Sequence, residues 1–516
     1  MGGKRRTRAR GLCLDAGMAD IGGARTLGEL CELRAGTHPD RSAVQDDEVR
    51  LSYAELASRA RAVARLLRER GVVAGDRVVV QGPNRVAWVV AAYGVLLAGA
   101  TVAPLGHRVP EAERERLLDR LAPRLVLQDD TVPAVAGAVR FAELEALAPV
   151  PEPEPLISAG LRLARADDAA LVLCSSGTSG AVKAVPMTHA QLLRVYDHVA
   201  RVLGAVDDDV WLATVPLAHS FGFNGILLVA MMAGATVRLL PGYDPSRLTR
   251  LLHEERITVL AGPPTIYHDL AALDADAARR HTRLAIVGST EVSAPDMARL
   301  AEHLAIPRVV AGYGMTETSG TVALGELPAR PDGPVPWMVP LPDCEVRISD
   351  DAGAAVSAGL RGRVQVRGYH VCRPDLAAPD VDPDAWFDTG DLGELDAAGR
   401  LAITGRAGDT IIVSGFNVDP REVEAVLREH PQIADVAVVG VRDARAGQRL
   451  LACVIPAGQA PTSAELTAHA RARLSPYKVP GEYVVLEQLP RTATGKLSRA
   501  ALRGMAEDGP AGVVRG

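Results

Sequence analysis

Three lysines stand out among the residues of this sequence that could take part in a reaction. Of the 57 basic residues only four are lysines, and Lys183, Lys478 and Lys496 each lie in a polar or glycine-rich stretch. The chain otherwise uses arginine, so a lysine indicates a position that needs a compact ammonium on a flexible stem. The alternative is that the positions of only four lysines are due to chance. The neighbours of each lysine therefore decide the interpretation.

The segment Ser175-Ser176-Gly177-Thr178-Ser179-Gly180-Ala181-Val182-Lys183 follows a short apolar run that indicates a buried strand. Its glycines would let backbone N–H groups turn towards an anion, and Thr178 and Ser179 add hydroxyl donors. It lacks the Gly-x-x-x-x-Gly-Lys-[Ser/Thr] pattern of nucleoside triphosphatases. We interpret the segment as a phosphate-binding loop, with an ordinary surface turn as the alternative.

Short apolar runs alternate with longer helical patterns between about residue 50 and residue 320. This alternation predicts mainly parallel sheets with helices on both faces, and therefore an α/β fold. Ligands of such folds collect at the carboxyl ends of the strands. Three runs end in polar or glycine-rich turns, at 175–180, 288–290 and 312–314, and we expect these turns to line one pocket. The apolar runs are 78–80, 101–104, 171–174, 236–240, 257–261, 284–287 and 309–311.

The sequence pattern changes twice after residue 320, which predicts further structural divisions. Prolines are frequent at 328–342, and short alternating segments then continue to about residue 405 and predict a β-rich subdomain. A helix start follows at Asp419-Pro420-Arg421-Glu422, with aspartate at the cap, proline at the first position and glutamate at the third. We predict a disordered tail at 1–24, a large N-terminal domain at 25–405 and a small, mobile α+β domain at 406–516.

Composition and charge argue against several classes of function. The net charge is −6 and the single basic run lies at residues 4–10, so nucleic-acid binding has little support. Asp15 and Asp20 interrupt any signal-peptide core, and the uncharged stretch 88–105 contains glycines and a proline. That stretch indicates a buried helix and strand rather than a membrane span. The six cysteines lie far apart, without metal-ligand spacing, as expected of a cytoplasmic protein.

The glycine-rich segment resembles the phosphate loop of the adenylate-forming (ANL) superfamily, which contains acyl- and aryl-CoA synthetases, luciferases and peptide-synthetase adenylation domains. That loop is typically [Ser/Thr]-Ser-Gly-Thr-Thr-Gly-x-Pro-Lys-Gly. Here Ser179, Val182 and Ala184 replace the usual threonine, proline and glycine, while the lysine is kept. The resemblance implies that this loop binds the phosphates of ATP and that Thr178 also takes part in catalysis. The loop residues expected to bind the nucleotide are Ser176, Gly177, Thr178, Ser179, Gly180 and Lys183.

A second match follows in the same order as in the family. Tyr313-Gly314-Met315-Thr316-Glu317 resembles its Tyr-Gly-x-Thr-Glu element. The resemblance implies that Tyr313 stacks on adenine, Thr316 reaches the phosphate and Glu317 holds Mg²⁺. These residue types suit those partners, because an aromatic face binds a base and a carboxylate oxygen binds magnesium. The turn Gly288-Ser289-Thr290 and Gly314 are expected to line the same nucleotide site.

The resemblance continues to the end of the chain. Trp386-Phe387-Asp388-Thr389-Gly390-Asp391 resembles the Thr-Gly-Asp element, which implies that Asp391 accepts hydrogen bonds from the ribose, with Arg406 close by. The stretch at 490–496 resembles the C-terminal lysine loop, which implies that Lys496 contacts the substrate carboxylate and the α-phosphate. The family has a hinge aspartate or lysine where this chain has Gly408, and glycine widens the accessible backbone angles there.

The substrate pocket is expected next to Pro216-Leu217-Ala218-His219. Family members often place a histidine or aromatic gate at His219, although a packed core histidine is the alternative. Ser220 stands where peptide-synthetase domains carry an aspartate for the substrate amine, which argues against an α-amino acid. The remaining lining is mostly apolar and favours an uncharged aryl or short-to-medium acyl acid. The expected lining residues are His219, Ser220, Phe221, Phe223, Val287, Ser289, Ala311 and Met315.

Together these matches imply a two-domain, AMP-forming acid–thiol ligase. The expected catalytic residues are Lys496, Glu317, Thr178 and His219. The expected cofactors are ATP, Mg²⁺ and coenzyme A, or the phosphopantetheine of a carrier protein acting in trans. A catalytically silent AMP-binding protein on the same scaffold is the alternative from another class, and its support is the altered loop and Gly408.

Overall fold

The computed structural model resolves two compact units. The first contains the described residues up to Val346 together with Val366–Phe387 and Asp396–Ala402. The second contains Arg347–Gln365, Asp388–Leu395 and the described residues from Ile403 onward. The residues described are 23–109, 111–152, 164–176, 182–274, 276–288, 292–328, 330–373, 375–378, 382, 384–407, 411–413, 416–443, 447–474, 478–492 and 497–507.

Helices separate many of the strands along the chain, as the alternating pattern predicted. The helices are α1 (Leu27–Thr37), α2 (Tyr53–Glu69), α3 (Val86–Leu97), α4 (Glu111–Leu121), α5 (Phe141–Glu145), α6 (His189–Leu203), α7 (Val229–Ala233), α8 (Pro245–Glu254), α9 (Pro264–Leu273), α10 (Ala294–His303), α11 (Pro420–Arg428), α12 (Ser463–Arg471) and α13 (Arg499–Glu507). A π-helix covers Phe221–Leu228, and short 3-10 turns cover Ala278–Arg280 and Thr316–Thr318.

Each predicted apolar run lies within or overlaps a strand, and further strands occur elsewhere in the chain. They are β1 (Ser42–Gln45), β2 (Arg50–Ser52), β3 (Arg77–Gly82), β4 (Thr101–Gly106), β5 (Leu125–Gln128), β6 (Val139–Arg140), β7 (Ala169–Ser176), β8 (Val182–Thr188), β9 (Val210–Ala213), β10 (Thr236–Leu239), β11 (Val259–Gly262), β12 (Leu284–Val287), β13 (Val309–Tyr313), β14 (Ala323–Glu326), β15 (Val339–Pro340), β16 (Glu345–Ser349), β17 (Gly362–Arg367), β18 (Phe387–Leu395), β19 (Leu401–Arg406), β20 (Ile411–Val413), β21 (Phe416–Val418), β22 (Ile433–Asp443), β23 (Gly447–Pro456) and β24 (Glu482–Val485).

Two sheets build the first unit. One has nine strands in the order β15-β14-β13-β12-β11-β9-β10-β1-β2, and the other has six in the order β6-β5-β3-β4-β7-β8. Neighbours from β1 through β10, β9, β11 and β12 to β13 are parallel, while β2 pairs antiparallel at one end and β14 and β15 at the other. The six-stranded sheet is parallel except for the β7–β8 pair. The predicted α/β fold with mainly parallel sheets is confirmed.

The uncharged stretch 88–105 forms a buried helix and a buried strand, as predicted. Every residue from Val86 to Leu96 of α3 is buried, which is typical of a helix that is apolar on all sides. Gly94 lets α3 approach α2, because a Cβ at Gly94 would lie 2.5 Å from Val63. None of the helices within the described ranges combines the length and the apolar character needed to cross a bilayer.

Strands β16 to β19 form a four-stranded sheet in chain order, so the predicted β-rich section is confirmed. In the second unit, β21, β20, β23 and β22 form a further sheet in that order, and β24 pairs with β23. Helix α11 begins as predicted, with Pro420 in its first turn and the Asp419 side chain accepting from the N–H of Arg421. Lys478 donates to both carboxylate oxygens of Glu422 at 2.6 Å, and this ion pair ties its segment to the first turn of α11.

Candidate active site

The chain leaves the glycine-rich loop in strand β8, which pairs antiparallel with β7. Strand β8 returns alongside β7, with Lys183 opposite Ser175 and Val182 opposite Ser176. The next residue, Ala184, is held on both sides: its N–H donates to Asp375 Oδ2 at 3.0 Å, and its carbonyl accepts from the N–H of Leu376 at 2.8 Å. The backbone that carries Lys183 is therefore fixed from outside the sheet. Gly177, Thr178, Ser179 and Gly180 lie outside the described residues.

The second motif forms a compact turn at the end of β13. The N–H of Met315 donates to Thr318 Oγ1 at 3.1 Å, and the N–H groups of Thr318 and Gly320 both donate to the carbonyl of Met315. Gly314 is required here, because a Cβ would lie 2.4 Å from the carbonyl oxygen of Gly320. The turn brings Tyr313, Thr316 and Glu317 together on a short stretch of fixed backbone.

Two of the three predicted turns adjoin each other. Strands β12 and β13 are parallel neighbours, and a Cβ built on Gly288 would lie 3.6 Å from the carbonyl oxygen of Gly312 and 4.0 Å from Cε1 of Phe221. The backbone at Gly288, the backbone at Gly312 and the ring of Phe221 therefore meet at one end of the sheet. Ser289 and Thr290 lie outside the described residues.

The segment after His219 is a π-helix, which the sequence analysis did not predict. His219 Nδ1 accepts from the N–H of Phe221 at 3.2 Å, so in this tautomer the proton lies on Nε2. Gly222 allows the chain to pass close to Pro216 at the start of the π-helix, because a Cβ at Gly222 would lie 2.1 Å from the carbonyl oxygen of Pro216. Single π-helical turns occur frequently at functional sites, and the closely spaced Gly222 and Gly225 were the only sequence signal for this one.

The remaining expected pocket residues differ in their surroundings. Ser220 is buried, and its Oγ accepts from Asn224 Nδ2 at 3.3 Å. The ring of Phe223 packs edge-on against Trp88 in the hydrophobic core. Val287 and Ala311 are buried in a second core cluster, and Met315 is half-buried. Of the described lining residues, Phe221 is the residue whose ring lies near the backbone at Gly288.

Tyr196 is a residue of this region that the sequence analysis missed. Its hydroxyl is fully buried and donates to the carbonyl of Ser319 at 2.9 Å. A Cβ on Gly320 would lie 2.3 Å from Tyr196 Oη and 2.6 Å from Ser220 Oγ, so these groups meet behind the Tyr313–Glu317 turn. The apolar face of α6 gave no sign of this contact, which spans 123 residues of sequence.

Asp391 and Arg406 lie together within the second unit. Arg406 Nε donates to Asp391 Oδ1 at 2.7 Å, and the N–H of Asp391 donates to Thr389 Oγ1 at 3.1 Å. The Asp391 side chain is 8% exposed and that of Arg406 is 55% exposed. A buried carboxylate oriented by a guanidinium is suited to accept hydrogen bonds from a diol. Gly408 and Lys496 lie outside the described residues.

If Asp391 accepts the ribose hydroxyls, as the family resemblance implies, Asp391→Asn removes a charged acceptor and should raise the KM for ATP about 10- to 100-fold. Steady-state kinetics over a range of ATP concentrations measures the change. Asp388 on the same strand pairs with Arg363 at 2.7 Å, and Asp388→Asn is the matched control that should leave the KM nearly unaltered. Equal KM values for the two variants would contradict a ribose role for Asp391.

The described residues contain no group of three or more His, Cys, Asp or Glu side chains that could hold a metal ion by themselves. Glu317 is the carboxylate of the Tyr313–Glu317 turn. A single carboxylate fits Mg²⁺ that arrives with nucleotide phosphates, because this ion keeps several waters and takes one or two protein oxygens. The donor set is therefore compatible with a magnesium–nucleotide complex.

Family models match both parts of the chain. The model described as AMP-binding enzyme matches residues 31–374, and the model described as AMP-binding enzyme C-terminal domain matches residues 422–496. The first match alone covers more than half of the sequence.

Named relatives and solved structures match along nearly the whole chain. A 3-[(3aS,4S,7aS)-7a-methyl-1,5-dioxo-octahydro-1H-inden-4-yl]propanoyl:CoA ligase of Mycobacterium tuberculosis is 33% identical over 90% of this chain and 96% of its own. A feruloyl-CoA synthase of an Amycolatopsis species is 32% identical over 92% of this chain and 98% of its own. The ATP-bound MatB structure from Rhodopseudomonas palustris has a TM-score of 0.81 at 27% identity, over 93% of this chain and 99% of that one. The chain belongs to the AMP-binding enzymes, in the adenylate-forming group that contains the CoA ligases.

Proposed function

We propose that this enzyme activates a carboxylic acid with ATP and transfers the acyl group to the thiol of coenzyme A. The observation that carries the proposal is the match to CoA ligases over nine-tenths of the chain. The Tyr313–Glu317 turn and the Asp391–Arg406 pair support it, because they offer an aromatic face, a magnesium carboxylate and a ribose acceptor. Pyrophosphate exchange that requires both an acid and ATP, followed by CoA thioester formation, tests the proposal directly.

The proposed reaction has two steps. A carboxylate oxygen of the substrate attacks the α-phosphorus of ATP, an acyl-adenylate forms and pyrophosphate leaves. The thiol sulfur of CoA then attacks the carbonyl carbon, the thioester forms, the thiol proton is released and AMP leaves. Lys496 would offset the charge that develops on the α-phosphate in the first step. Magnesium, when bound, would neutralise phosphate charge, with Glu317 as its protein ligand.

The remaining residues would hold the reactants in place. Tyr313 would stack on the adenine ring, and Asp391 with Arg406 would hold the ribose. Lys183 would act on the phosphates from the start of β8. The residue that follows it, Ala184, is held by Asp375. Orienting both reactants in this way supplies much of the rate enhancement of a two-substrate reaction.

We propose an uncharged aryl or short-to-medium acyl acid as the substrate. The ring of Phe221, two residues after the expected carboxylate gate His219, lies near the backbone at Gly288 and offers an apolar contact. Ser220 provides no counter-charge for an amine. The two relatives named above act, by their names, on a bicyclic propanoate and on a ferulate. A panel of aryl, straight-chain and amino acids in the pyrophosphate exchange assay tests this choice, and exchange with amino acids alone would contradict it.

The acceptor is proposed to be coenzyme A rather than a carrier protein, because the named relatives are CoA ligases. Acyl-CoA formation with the free cofactor supports this choice. If acyl transfer instead requires a phosphopantetheine-bearing carrier in trans, the mass of the carrier increases by that of the acyl group. Free CoA does not prevent this increase, and the choice of coenzyme A is then wrong.

We also propose that Gly408 is a pivot for movement of the small domain between the two steps. Replacing Gly408 by proline fixes φ and is expected to slow thioester formation about tenfold or more relative to adenylation. Single-turnover measurements of the two half-reactions give this ratio. Gly399 has a positive φ of 75° in the turn between β18 and β19, and Gly399→Ala is the control for a backbone change outside residue 408. A Gly408→Pro enzyme with an unchanged ratio would contradict the assignment.

A further inference from the structure

One segment contacts both of the phosphate-side motifs. Residues 370–373 and 375–376, named here the strap, follow β17 and precede β18. At one end the N–H of Cys372 donates to the carbonyl of Glu317 at 2.8 Å. At the other end Asp375 and Leu376 hydrogen-bond both backbone groups of Ala184, the residue after Lys183. The strap therefore ties the magnesium carboxylate and the loop lysine to the same short piece of chain.

The contact with the Glu317 turn is buried and contains side-chain as well as backbone hydrogen bonds. Ser319 Oγ donates to the carbonyl of His370 at 2.9 Å and lies 3.2 Å from Cys372 Sγ. Ser319 has a left-handed φ of 56°, which is uncommon for a residue with a side chain. The strap and Tyr196 together hold it there.

The contact with β8 depends on one carboxylate. Asp375 Oδ2 accepts from the Ala184 N–H, and Oδ1 accepts from the Ala377 N–H at 3.0 Å and from Arg120. Burial alone would raise the pKa of Asp375, but these three donors outweigh it and lower the pKa below its usual value. The carboxylate is therefore ionised and oriented at neutral pH.

The strap is also anchored to the body of the first unit. Gln191 Nε2 of α6 donates to the carbonyl of Val371 at 3.0 Å. Gln191 belongs to the capping box at the start of α6, directly after β8. The strap is thus held between α6, β8 and the Glu317 turn, and a shift at one contact displaces the others.

We propose that Asp375 is a positioning residue, which sets the spacing between Lys183 and Glu317 through the strap and thereby the fit of the ATP phosphates. The inference rests on the proposed function, because it assigns those two residues to phosphate and magnesium. It concerns the adenylation step alone. Thioester formation from an acyl-adenylate has no β- and γ-phosphates to hold, so that step does not depend on this spacing.

The test compares four variants with the unaltered enzyme in both half-reactions. Asp375→Ala removes the acceptor for the Ala184 N–H, and Asp375→Asn restores a neutral oxygen at the same place. Ser319→Ala weakens the other end of the strap. Asp46→Ala is the matched control, because Asp46 Oδ2 also accepts a distant backbone N–H, that of Val86 at 2.9 Å, far from the motifs in sequence.

We expect Asp375→Ala and Ser319→Ala to raise the KM for ATP at least about fivefold, with thioester formation from supplied acyl-adenylate within about twofold of the unaltered enzyme. Asp375→Asn should recover most of the loss, and Asp46→Ala should lower Tm without altering the KM. The proposal is overturned if Asp375→Ala leaves the KM within twofold, if Asp46→Ala raises it equally, or if both half-reactions fall together. Should Asp375→Ala fail to fold, Ser319→Ala and Asp375→Asn decide by the same criteria. Activity of the unaltered enzyme separates a failure of this inference from a failure of the proposed function.

Discussion

Alanine in place of Lys496 is expected to slow acyl-adenylate formation about 100- to 1,000-fold, because it removes the ammonium that we propose offsets developing charge on the α-phosphate in the transition state. Acid-dependent exchange of labelled pyrophosphate into ATP measures this step. The rate of thioester formation from supplied acyl-adenylate should stay close to that of the unaltered enzyme. In that step, the only charge that develops on the α-phosphate is that of the departing AMP.

Lys478→Ala is the control for Lys496→Ala. It removes an ammonium from the same domain, but Lys478 is engaged with both oxygens of Glu422. We expect it to leave pyrophosphate exchange nearly unchanged and to affect stability only. An exchange rate that survives Lys496→Ala, or that falls equally in the two variants, would contradict the catalytic role of Lys496.

Glutamine in place of Glu317 is expected to lower the adenylation rate about 100-fold at physiological magnesium, because a neutral amide is a poor ligand for this ion. Part of the rate should return as the magnesium concentration is raised, which distinguishes a lost metal ligand from a distorted site. The backbone of the turn is held by Cys372 and Met315, so the shape of the site should be retained.

Glu326→Gln is the matched control, since Glu326 lies on β14 and pairs with Arg308 at 2.9 Å. It should show the magnesium dependence of the unaltered enzyme. If Glu317→Gln shows that same dependence, Glu317 does not hold the metal. A reduced rate that no magnesium concentration restores would indicate a structural role instead.

The fold was predictable from the sequence where burial determines the pattern. Strands buried on both faces are continuous apolar runs, and each predicted run from 78–80 to 309–311 lies within or overlaps a strand of the two sheets. The start of α11 was predictable because Asp419 and Pro420 satisfy the first turn of a helix by local chemistry alone. These features depend on neighbouring residues and need no knowledge of distant contacts.

The supporting residues of the site were not predictable in this way. Asp375 reaches Ala184 across 191 residues of sequence, and Tyr196 reaches Ser319 across 123. Neither contact leaves a periodic pattern or a local motif. The π-helix at Phe221–Leu228 was missed for a related reason, since its apolar sequence also fits an ordinary helix. Lys478 was grouped with Lys183 and Lys496 by its rarity, and the structure shows it in an ion pair with Glu422.

The most direct test of the account follows oxygen from the acid into the nucleotide. A substrate acid labelled with ¹⁸O in its carboxylate is turned over with ATP and CoA, and the AMP and phosphate products are analysed by mass spectrometry. If the carboxylate attacks the α-phosphorus, each AMP carries one ¹⁸O atom and pyrophosphate carries none. Label in inorganic phosphate with ADP as the product, or unlabelled AMP beside a formed thioester, would contradict an acyl-adenylate intermediate.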